Sequence, residues 1–206
     1  MSLTEEIRAL MSGEVGAQVA ERVRQFRKLG RRGEDDLFKE LCFCILTANY
    51  NAGRAIMIQA AVGDGFITLP RARLAAKLKS LGYRYPNTRA AYIVEARRHR
   101  GRIRGVLRLH SGLELRRWFV CNVKGLGFKE ASHFLRNIGY GEYAILDFHI
   151  IDVIAGRGII RRPKSLTPRR YVEIEDALKR LGGRIGLDMA ELDLYLWYME
   201  TGKILK

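Results

Sequence analysis

The sequence predicts an all-α fold in two parts, and three observations support this class. Capping signals and glycine stops divide nearly the whole chain into helix-length segments, and no segment is a convincing strand. Apolar residues make up 48% of the 206, which is enough to bury a core. A glycine-broken turn, K-G-L-G-F-K at 124–129, separates two of the predicted helices.

The first half of the chain contains helices with local start and stop signals. Ser2 and Glu5 have capping-box spacing and begin a short helix. An amphipathic helix from about 14 to 29 ends at Gly30. Acidic residues at 34–36 favour the start of the next helix, whose run LFKELCFCILTA is apolar on most faces and indicates a central core position. Further helices are predicted at about 53–62, 71–81 and 88–99, with the loop GYRYPN between the last two.

The second half continues in the same way. Ser111 is expected to cap a helix at 112–122, and the helix after the glycine turn should cover 128–137. Asp147 is expected to cap a helix that ends near 155. Helices at about 168–181 and 188–201 follow, the first with proline at its first position and the second with capping-box spacing. We expect a part of about 50–155 with the glycine turn, a part built from about 1–49 and 156–206, and an active site in the cleft between them.

Charge indicates the kind of partner. The chain has 37 Lys and Arg against 22 Asp and Glu, a net charge of +15, which points to a polyanion such as nucleic acid. A basic protein without such a partner is the alternative. The densest basic run, 97–108, is either a solvated helix end or a phosphate-contact surface. No apolar run approaches the roughly 18 residues that span a bilayer, and MSLTEEIRAL does not resemble a signal peptide. No membrane and a cytoplasmic or nucleoid location are therefore expected.

The glycine turn can support chemistry on a phosphate-bearing substrate. Gly125 and Gly127 can adopt backbone angles closed to other residues, and the amides that follow can bind phosphate. Lys129 lies in the first helical turn, where the helix dipole and the cationic surroundings disfavour its charged form. A neutral lysine amine can attack the C1′ atom of a sugar and form a Schiff base, and a carboxylate at Asp147 can stabilise the developing cation. On spacing alone, Lys129 is equally well an ordinary phosphate-binding lysine, and Asp147 a plain helix cap.

Four segments carry a resemblance to a known family. K-G-L-G-F-K with the following Asp147, together with LCFCILTAN, KEASHFLRN and LDLYLWY, resembles the archaeal-type 8-oxoguanine DNA glycosylase/lyases, the second Ogg family of the helix-hairpin-helix DNA glycosylase superfamily. The resemblance covers most of the chain. It implies the two-part helix-hairpin-helix fold and a bifunctional enzyme of base excision repair, which extrudes and removes 8-oxoguanine from duplex DNA and then cuts the strand by β-elimination.

The resemblance also implies roles for individual residues. Lys129 is the expected nucleophile and Asp147 its catalytic partner. The remaining positions are expected at DNA phosphates (Gly125, Gly127, His149), at the extruded base (Trp197, Asp193, Lys206, Tyr85), and at the gap in the duplex and the opposite base (Asn49, Arg84). Several have plain alternatives: Asn49 as a helix-ending residue that bonds local backbone, Trp197 as core and His149 as a polar surface residue.

The sequence also bears on cofactors, on the partner and on alternative functions. The chain has three cysteines, too few for the four-cysteine iron–sulfur cluster of endonuclease III-type relatives, so neither a cluster nor an organic cofactor is expected. In the resembling family a monovalent cation often joins the hairpin. A monomer is expected to bind double-stranded DNA containing 8-oxoguanine. The rivals are a non-catalytic helix-hairpin-helix DNA-binding protein and a glycosylase of this fold for another oxidised base; no clustered His and carboxylate set supports a metal-dependent nuclease.

Overall fold

The computed structural model describes residues 2–206, which form helices joined by turns and contain no strand. The all-α prediction is therefore confirmed. In chain order the α-helices are α1 (Leu3–Met11), α2 (Glu14–Gly30), α3 (Glu34–Thr47), α4 (Ala52–Val62), α5 (Gly65–Thr68), α6 (Arg71–Ser80), α7 (Pro86–Ala96), α8 (Ile103–Leu109), α9 (Gly112–Asn122), α10 (Phe128–Asn137), α11 (Phe148–Gly156), α12 (Pro168–Gly183) and α13 (Met189–Thr201). A short 3-10 helix, Arg97–His99, follows α7.

The chain divides into two compact units, and the division differs from the predicted boundaries. We call Leu29–Phe134 the hairpin unit, and Met1–Lys28 together with Leu135–Lys206 the terminal unit. The prediction placed 29–49 with the chain ends, but α3 packs against α4, α5, α7 and α8 and so belongs to the hairpin unit. Likewise 135–155 joins the terminal unit, where α11 packs against α13.

Helix α3 is the centre of the hairpin unit, as its apolar run predicts. The side chains from Leu41 to Leu46 are completely buried. The helix also buries Glu40, whose carboxylate accepts a hydrogen bond from Gln59 Nε2 of α4 at 3.0 Å. This bond satisfies a charged group that would otherwise be costly to bury.

In the terminal unit, α12 organises the extended segment that precedes α11. The hydroxyl of Tyr171 donates to the carbonyl of Ala144 at 2.8 Å and accepts from the amide of Leu146 at 3.0 Å. Glu175 accepts from the Ala144 amide at 2.7 Å. These bonds fix the backbone that leads directly into Asp147.

Most of the predicted helix starts are present in the structure. Ser2 and Asp188 each form a capping box, and the Thr167 side chain caps α12. Helix α9 begins after Ser111 as predicted, but the Ser111 side chain makes no capping bond. The sequence analysis did not predict the short helices α5 and α8. None of the helices within residues 2–206 is long and apolar enough to cross a bilayer.

The basic run at 97–108 is largely engaged with the protein itself. Arg97 donates to the carbonyls of Phe66 at 2.9 Å and Leu69 at 2.6 Å. Arg100 forms a two-bond ion pair with Asp35. The run therefore has a structural role in the hairpin unit, beyond the two alternatives that the sequence suggested.

Candidate active site

The turn between α9 and α10 contains a glycine that no other residue could replace without strain. Gly125 has φ +91°, and a Cβ atom at this position would lie 2.6 Å from Cδ2 of Tyr92. The backbone can therefore pass under the Tyr92 ring only if residue 125 has no side chain.

Gly127 differs from the prediction, because it does not adopt a positive φ. Its amide donates to Oε2 of Glu130 at 3.1 Å, and this carboxylate lies in the first turn of α10. The bond is the N3-to-N-cap half of a capping box. The Gly127 amide, predicted to bind phosphate, thus has a carboxylate partner in this structure.

Lys129 is the second residue of α10 and is half-buried. The helix is held against α9 by Arg116, whose Nη1 donates to Ser132 Oγ at 3.2 Å and whose guanidinium lies 5.0 Å from the Phe128 ring. The rings of Phe119 and Phe134 also meet, 4.9 Å apart. These contacts fix the backbone from which the Lys129 side chain projects.

Asp147 is the N-cap of α11, as predicted. Its carboxylate accepts a hydrogen bond from the Ile150 amide at 3.1 Å and is half-buried. This capping bond fixes the position of the carboxylate at the start of the helix.

Asn49 directly follows Ala48, the C-cap of α3. It has φ +57° and is the one non-glycine residue with positive φ within residues 2–206. Its side chain is exposed, and its amide has no hydrogen bond to any residue that the structure describes. The alternative of an Asn that bonds local backbone is therefore not what the structure contains. Left-handed backbone is uncommon at non-glycine residues, but Asn adopts it more readily than most and often does so after a helix C-cap.

The GYRYPN loop carries Arg84, predicted at the gap, and Tyr85, predicted at the extruded base. Tyr85 is one of the few exposed large apolar side chains, at 37% exposure. The guanidinium of Arg84 lies over its ring at 5.0 Å from the ring centre. Tyr85 forms the end of the loop, since α7 begins at Pro86.

Helix α13 carries two of the predicted base-binding residues, and they differ in their surroundings. Trp197 is half-buried, and its indole Nε1 is buried without a hydrogen-bond partner among residues 2–206. Asp193 accepts a 2.6 Å hydrogen bond from Nη1 of Arg136, in an ion pair whose side chains are 3% and 11% exposed for Arg136 and Asp193. The Asp193 carboxylate is thus held within the terminal unit. Lys206 is half-buried.

An exposed aromatic side chain next to Asp147 escaped the sequence analysis. Phe148 is 48% exposed, and the Arg162 guanidinium lies 5.5 Å from its ring centre. The signal in the sequence is an aromatic residue directly after the capping Asp147. His149, the predicted phosphate contact, is also exposed.

The terminal unit also contains an open cavity of about 800 Å³ between α1, α11 and α13. None of the predicted site residues lines it. Within residues 2–206, no three His, Cys, Asp or Glu side chains are grouped as a metal site would require. Cys42 and Cys44 are buried and Cys121 is exposed, and burial raises the pKa of Cys42 well above its usual value.

The predicted residues are therefore distributed over both units. The hairpin unit carries Asn49, Arg84, Tyr85, Gly125, Gly127 and Lys129, and the terminal unit carries Asp147, His149, Asp193, Trp197 and Lys206. In the hairpin unit, the Asn49 turn and the GYRYPN loop are in direct contact: the rings of Tyr50 and Tyr83 lie 4.4 Å apart, and the Tyr50 hydroxyl donates to the Gly82 carbonyl at 3.3 Å.

The all-α architecture and the α9–α10 hairpin are those of a helix-hairpin-helix DNA glycosylase. Residues 19–187 match the family described as 8-oxoguanine DNA glycosylase. The chain is 47% identical to the 8-oxoguanine DNA glycosylase/AP lyase of Korarchaeum cryptofilum, over 99% of this chain and 98% of that protein. It is similar to the solved structure of the Methanocaldococcus jannaschii 8-oxoguanine glycosylase/lyase in complex with a 15mer DNA containing 8-oxoguanine (TM-score 0.95, 44% identity, all of both chains). It is also similar to the Thermotoga maritima 8-oxoguanine DNA glycosylase (TM-score 0.93, 40% identity, 99% of this chain and 98% of that one). The chain belongs to the 8-oxoguanine DNA glycosylase family.

Proposed function

We propose that this protein removes 8-oxoguanine from duplex DNA through a Schiff base at Lys129 and then cuts the strand. The class of activity, DNA glycosylase and AP lyase, follows from the family to which the chain belongs. The assignment to individual residues is our own proposal. It rests above all on Lys129, which is fixed in the first turn of α10 directly after the Gly125 hairpin.

The chemistry begins with extrusion of the damaged nucleotide from the duplex, because the base cannot be reached inside the stack. The Nζ atom of Lys129 attacks C1′, and the base departs with the electrons of the glycosidic bond. The half-buried Asp147 carboxylate stabilises the positive charge that develops on the sugar. Ring opening gives a Schiff base between Lys129 and C1′, which makes the 2′ proton acidic. Loss of this proton breaks the bond between C3′ and its oxygen and cuts the strand.

The remaining candidates bind the DNA around this reaction. The Gly125 hairpin and the exposed His149 contact phosphates, and a phosphate at the hairpin would compete with Glu130 for the Gly127 amide. Asn49 and Arg84 act at the opposite base and the gap. Trp197 stacks on the extruded base, while Tyr85, Asp193 and Lys206 complete its surroundings.

The amine of Lys129 supplies the nucleophile, so the proposed reaction requires no organic cofactor or redox metal; a monovalent cation at the hairpin would only assist phosphate binding. We place the protein, as a monomer, with the DNA of the cytoplasm or nucleoid, because its substrate is a duplex.

The proposal is tested with a 5′-labelled duplex that holds a single 8-oxoguanine opposite cytosine. Free base and strand scission are measured in the same reaction. The expected result is release of 8-oxoguanine together with a fragment that carries the unsaturated sugar left by β-elimination. Tight binding without base release would support the rival, a non-catalytic DNA-binding protein. Release of an oxidised pyrimidine but not of 8-oxoguanine would support the other rival.

We predict that two substitutions of Asn49 differ in their effect on stability but slow excision alike. Asn49→Gly accepts the left-handed backbone, so the free energy of unfolding should stay within about 0.5 kcal/mol of wild type, whereas Asn49→Ala should lose about 1 kcal/mol. Both variants lack the amide, so both should excise 8-oxoguanine opposite cytosine at least about tenfold more slowly. Denaturant unfolding and single-turnover excision measure the two effects. Wild-type excision by Asn49→Gly would remove Asn49 from the site.

A further inference from the structure

Arg89 is a buried arginine that none of the proposed steps uses. The residue is 9% exposed, and it lies near the start of α7. Within residues 2–206 no carboxylate pairs with it, and its Nε atom has no hydrogen-bond partner. Burying an arginine without a carboxylate partner costs free energy, because its charge loses contact with water. We therefore expect a structural or functional role that offsets this cost.

One contact of Arg89 is with the turn that presents Asn49. Its Nη2 atom donates to the carbonyl of Ala48 at 2.9 Å, a bond that is buried and joins residues 41 apart in sequence. Ala48 immediately precedes Asn49, whose backbone is left-handed. Arg89 thus fixes the peptide that sets the direction of the Asn49 side chain.

A second group of contacts is with the GYRYPN loop. The Arg89 guanidinium lies 6.0 Å from the ring centre of Tyr85. It also lies against the hydroxyl of Tyr83, and that hydroxyl donates to the Leu46 carbonyl at 2.7 Å. Burial raises the pKa of Tyr83, so its hydroxyl keeps the proton that this bond requires. Arg89 therefore joins the loop to the Asn49 turn, and Tyr83 joins the loop to the last part of α3, which leads into this turn.

A third contact reaches the hairpin. Tyr92 lies one helical turn after Arg89 on the same face of α7, and the Arg89 guanidinium is 5.6 Å from its ring centre. The same ring also contacts the hairpin, since a Cβ atom at Gly125 would lie 2.6 Å from its Cδ2 atom. The Lys124 ammonium is 5.8 Å from the same ring centre.

We propose that Arg89 is a positioning residue, which fixes the Asn49 turn, the Arg84–Tyr85 loop and, through Tyr92, the Gly125 hairpin in one arrangement. Asn49 and Arg84 then reach the gap, and Tyr85 reaches the extruded base, without an ordering cost at the moment of binding. This inference rests on the proposed function and deepens it, because it names the residue through which the gap-filling groups act as a unit.

Arg97 provides the control for Arg89, because it supports the same unit without contacting the site residues. Arg97 also donates to backbone carbonyls within the hairpin unit, those of Phe66 and Leu69. The loop that it holds contains none of the site residues. Arg97→Met therefore removes the same kind of interaction as Arg89→Met without affecting the Asn49 turn.

The test is a double-mutant cycle on single-turnover excision of 8-oxoguanine opposite cytosine. Arg89→Met should slow excision by about 10- to 100-fold, since a displacement near 1 Å can cost this much. In the Asn49→Gly background the same change should add less than about threefold, because coupled residues are non-additive. Arg97→Met should change the rate by less than about threefold in either background. Arg89→Lys, which keeps the charge and one donor, should recover part of the loss.

Multiplicative losses from Arg89→Met and Asn49→Gly would overturn the inference, as would a wild-type rate in Arg89→Met or an equal loss in Arg97→Met. If Arg89→Met does not fold, Tyr83→Phe replaces it in the cycle, since it removes only the hydroxyl that contacts Arg89 and bonds to the Leu46 carbonyl of α3. Additive loss with Asn49→Gly would again overturn the inference. If the proposed function itself is wrong, the wild-type protein releases no 8-oxoguanine, and this result precedes any measurement on the variants.

Discussion

Lys129→Gln is expected to abolish base release and strand cutting together, with a loss of at least about 10³-fold in single-turnover rate. Glutamine has nearly the length of lysine and keeps a polar end, but its amide nitrogen cannot form a Schiff base. Because α10 is fixed by contacts of Arg116, Phe119 and Phe134, the substitution should not disturb the hairpin. Base release and strand scission are measured on the same lesion duplex, with the dissociation constant measured in parallel.

Lys124→Gln is the matched control for the loss of charge. Lys124 lies in the same hairpin, its side chain is 60% exposed, and its ammonium is 3.8 Å from a carboxylate oxygen of Glu95. Its substitution should weaken DNA binding and lower the number of ions released on binding by about one, as measured from the salt dependence of the affinity. The rate of excision at saturating enzyme should stay near wild type. Strand cutting by Lys129→Gln at the wild-type rate would assign the nucleophile to another residue. Equal effects of the two substitutions would make Lys129 an ordinary phosphate-binding lysine.

Arg136→Met is expected to produce the largest loss of stability, about 3–5 kcal/mol. The Arg136–Asp193 ion pair has a 2.6 Å contact, and its side chains are 3% and 11% exposed. The guanidinium also donates to Oδ1 of Asn137 at 3.0 Å and lies 4.8 Å from the Phe26 ring centre. Removing the arginine takes a short, charge-assisted hydrogen bond from a largely buried carboxylate. Chemical denaturation of the whole chain measures the loss.

Two further variants test whether the buried ion pair is the cause of the lost stability. The double variant Arg136→Met, Asp193→Leu removes both charges and should be markedly more stable than Arg136→Met alone. Arg24→Met breaks the exposed ion pair with Glu21, whose side chains are 66% and 52% exposed, and should change stability by less than about 0.5 kcal/mol. A loss of similar size in Arg24→Met and Arg136→Met would show that burial of the pair is not the reason.

Local signals predicted the elements around the site well, because each depends on neighbouring residues. Helix α10 has the predicted bounds, and Asp147 caps α11. The capping box at Asp188 and Glu191 starts α13 as expected. Capping and glycine stops act within three or four residues, so they can be recognised in a single sequence.

The residues that the sequence analysis missed depend on long-range contacts. Arg89 looks like a surface arginine on a polar helix start, and its burial follows from contacts with residues about 40 positions earlier. The basic run at 97–108 looks like a solvated surface, yet Arg97 and Arg100 bind elements far along the chain. The unit boundaries were misplaced for the same reason, since the grouping of 29–49 is decided by how α3 packs.

Borohydride trapping is the most direct measurement of the central claim, that Lys129 forms the Schiff base with the sugar. The wild-type protein is mixed with a duplex containing one 8-oxoguanine, the complex is reduced, and the modified residue is located by peptide mapping. We expect one covalent adduct at Lys129, which Lys129→Gln cannot form and Lys124→Gln still forms. An adduct at another residue, or base release and strand cutting without any trapped adduct, would contradict it.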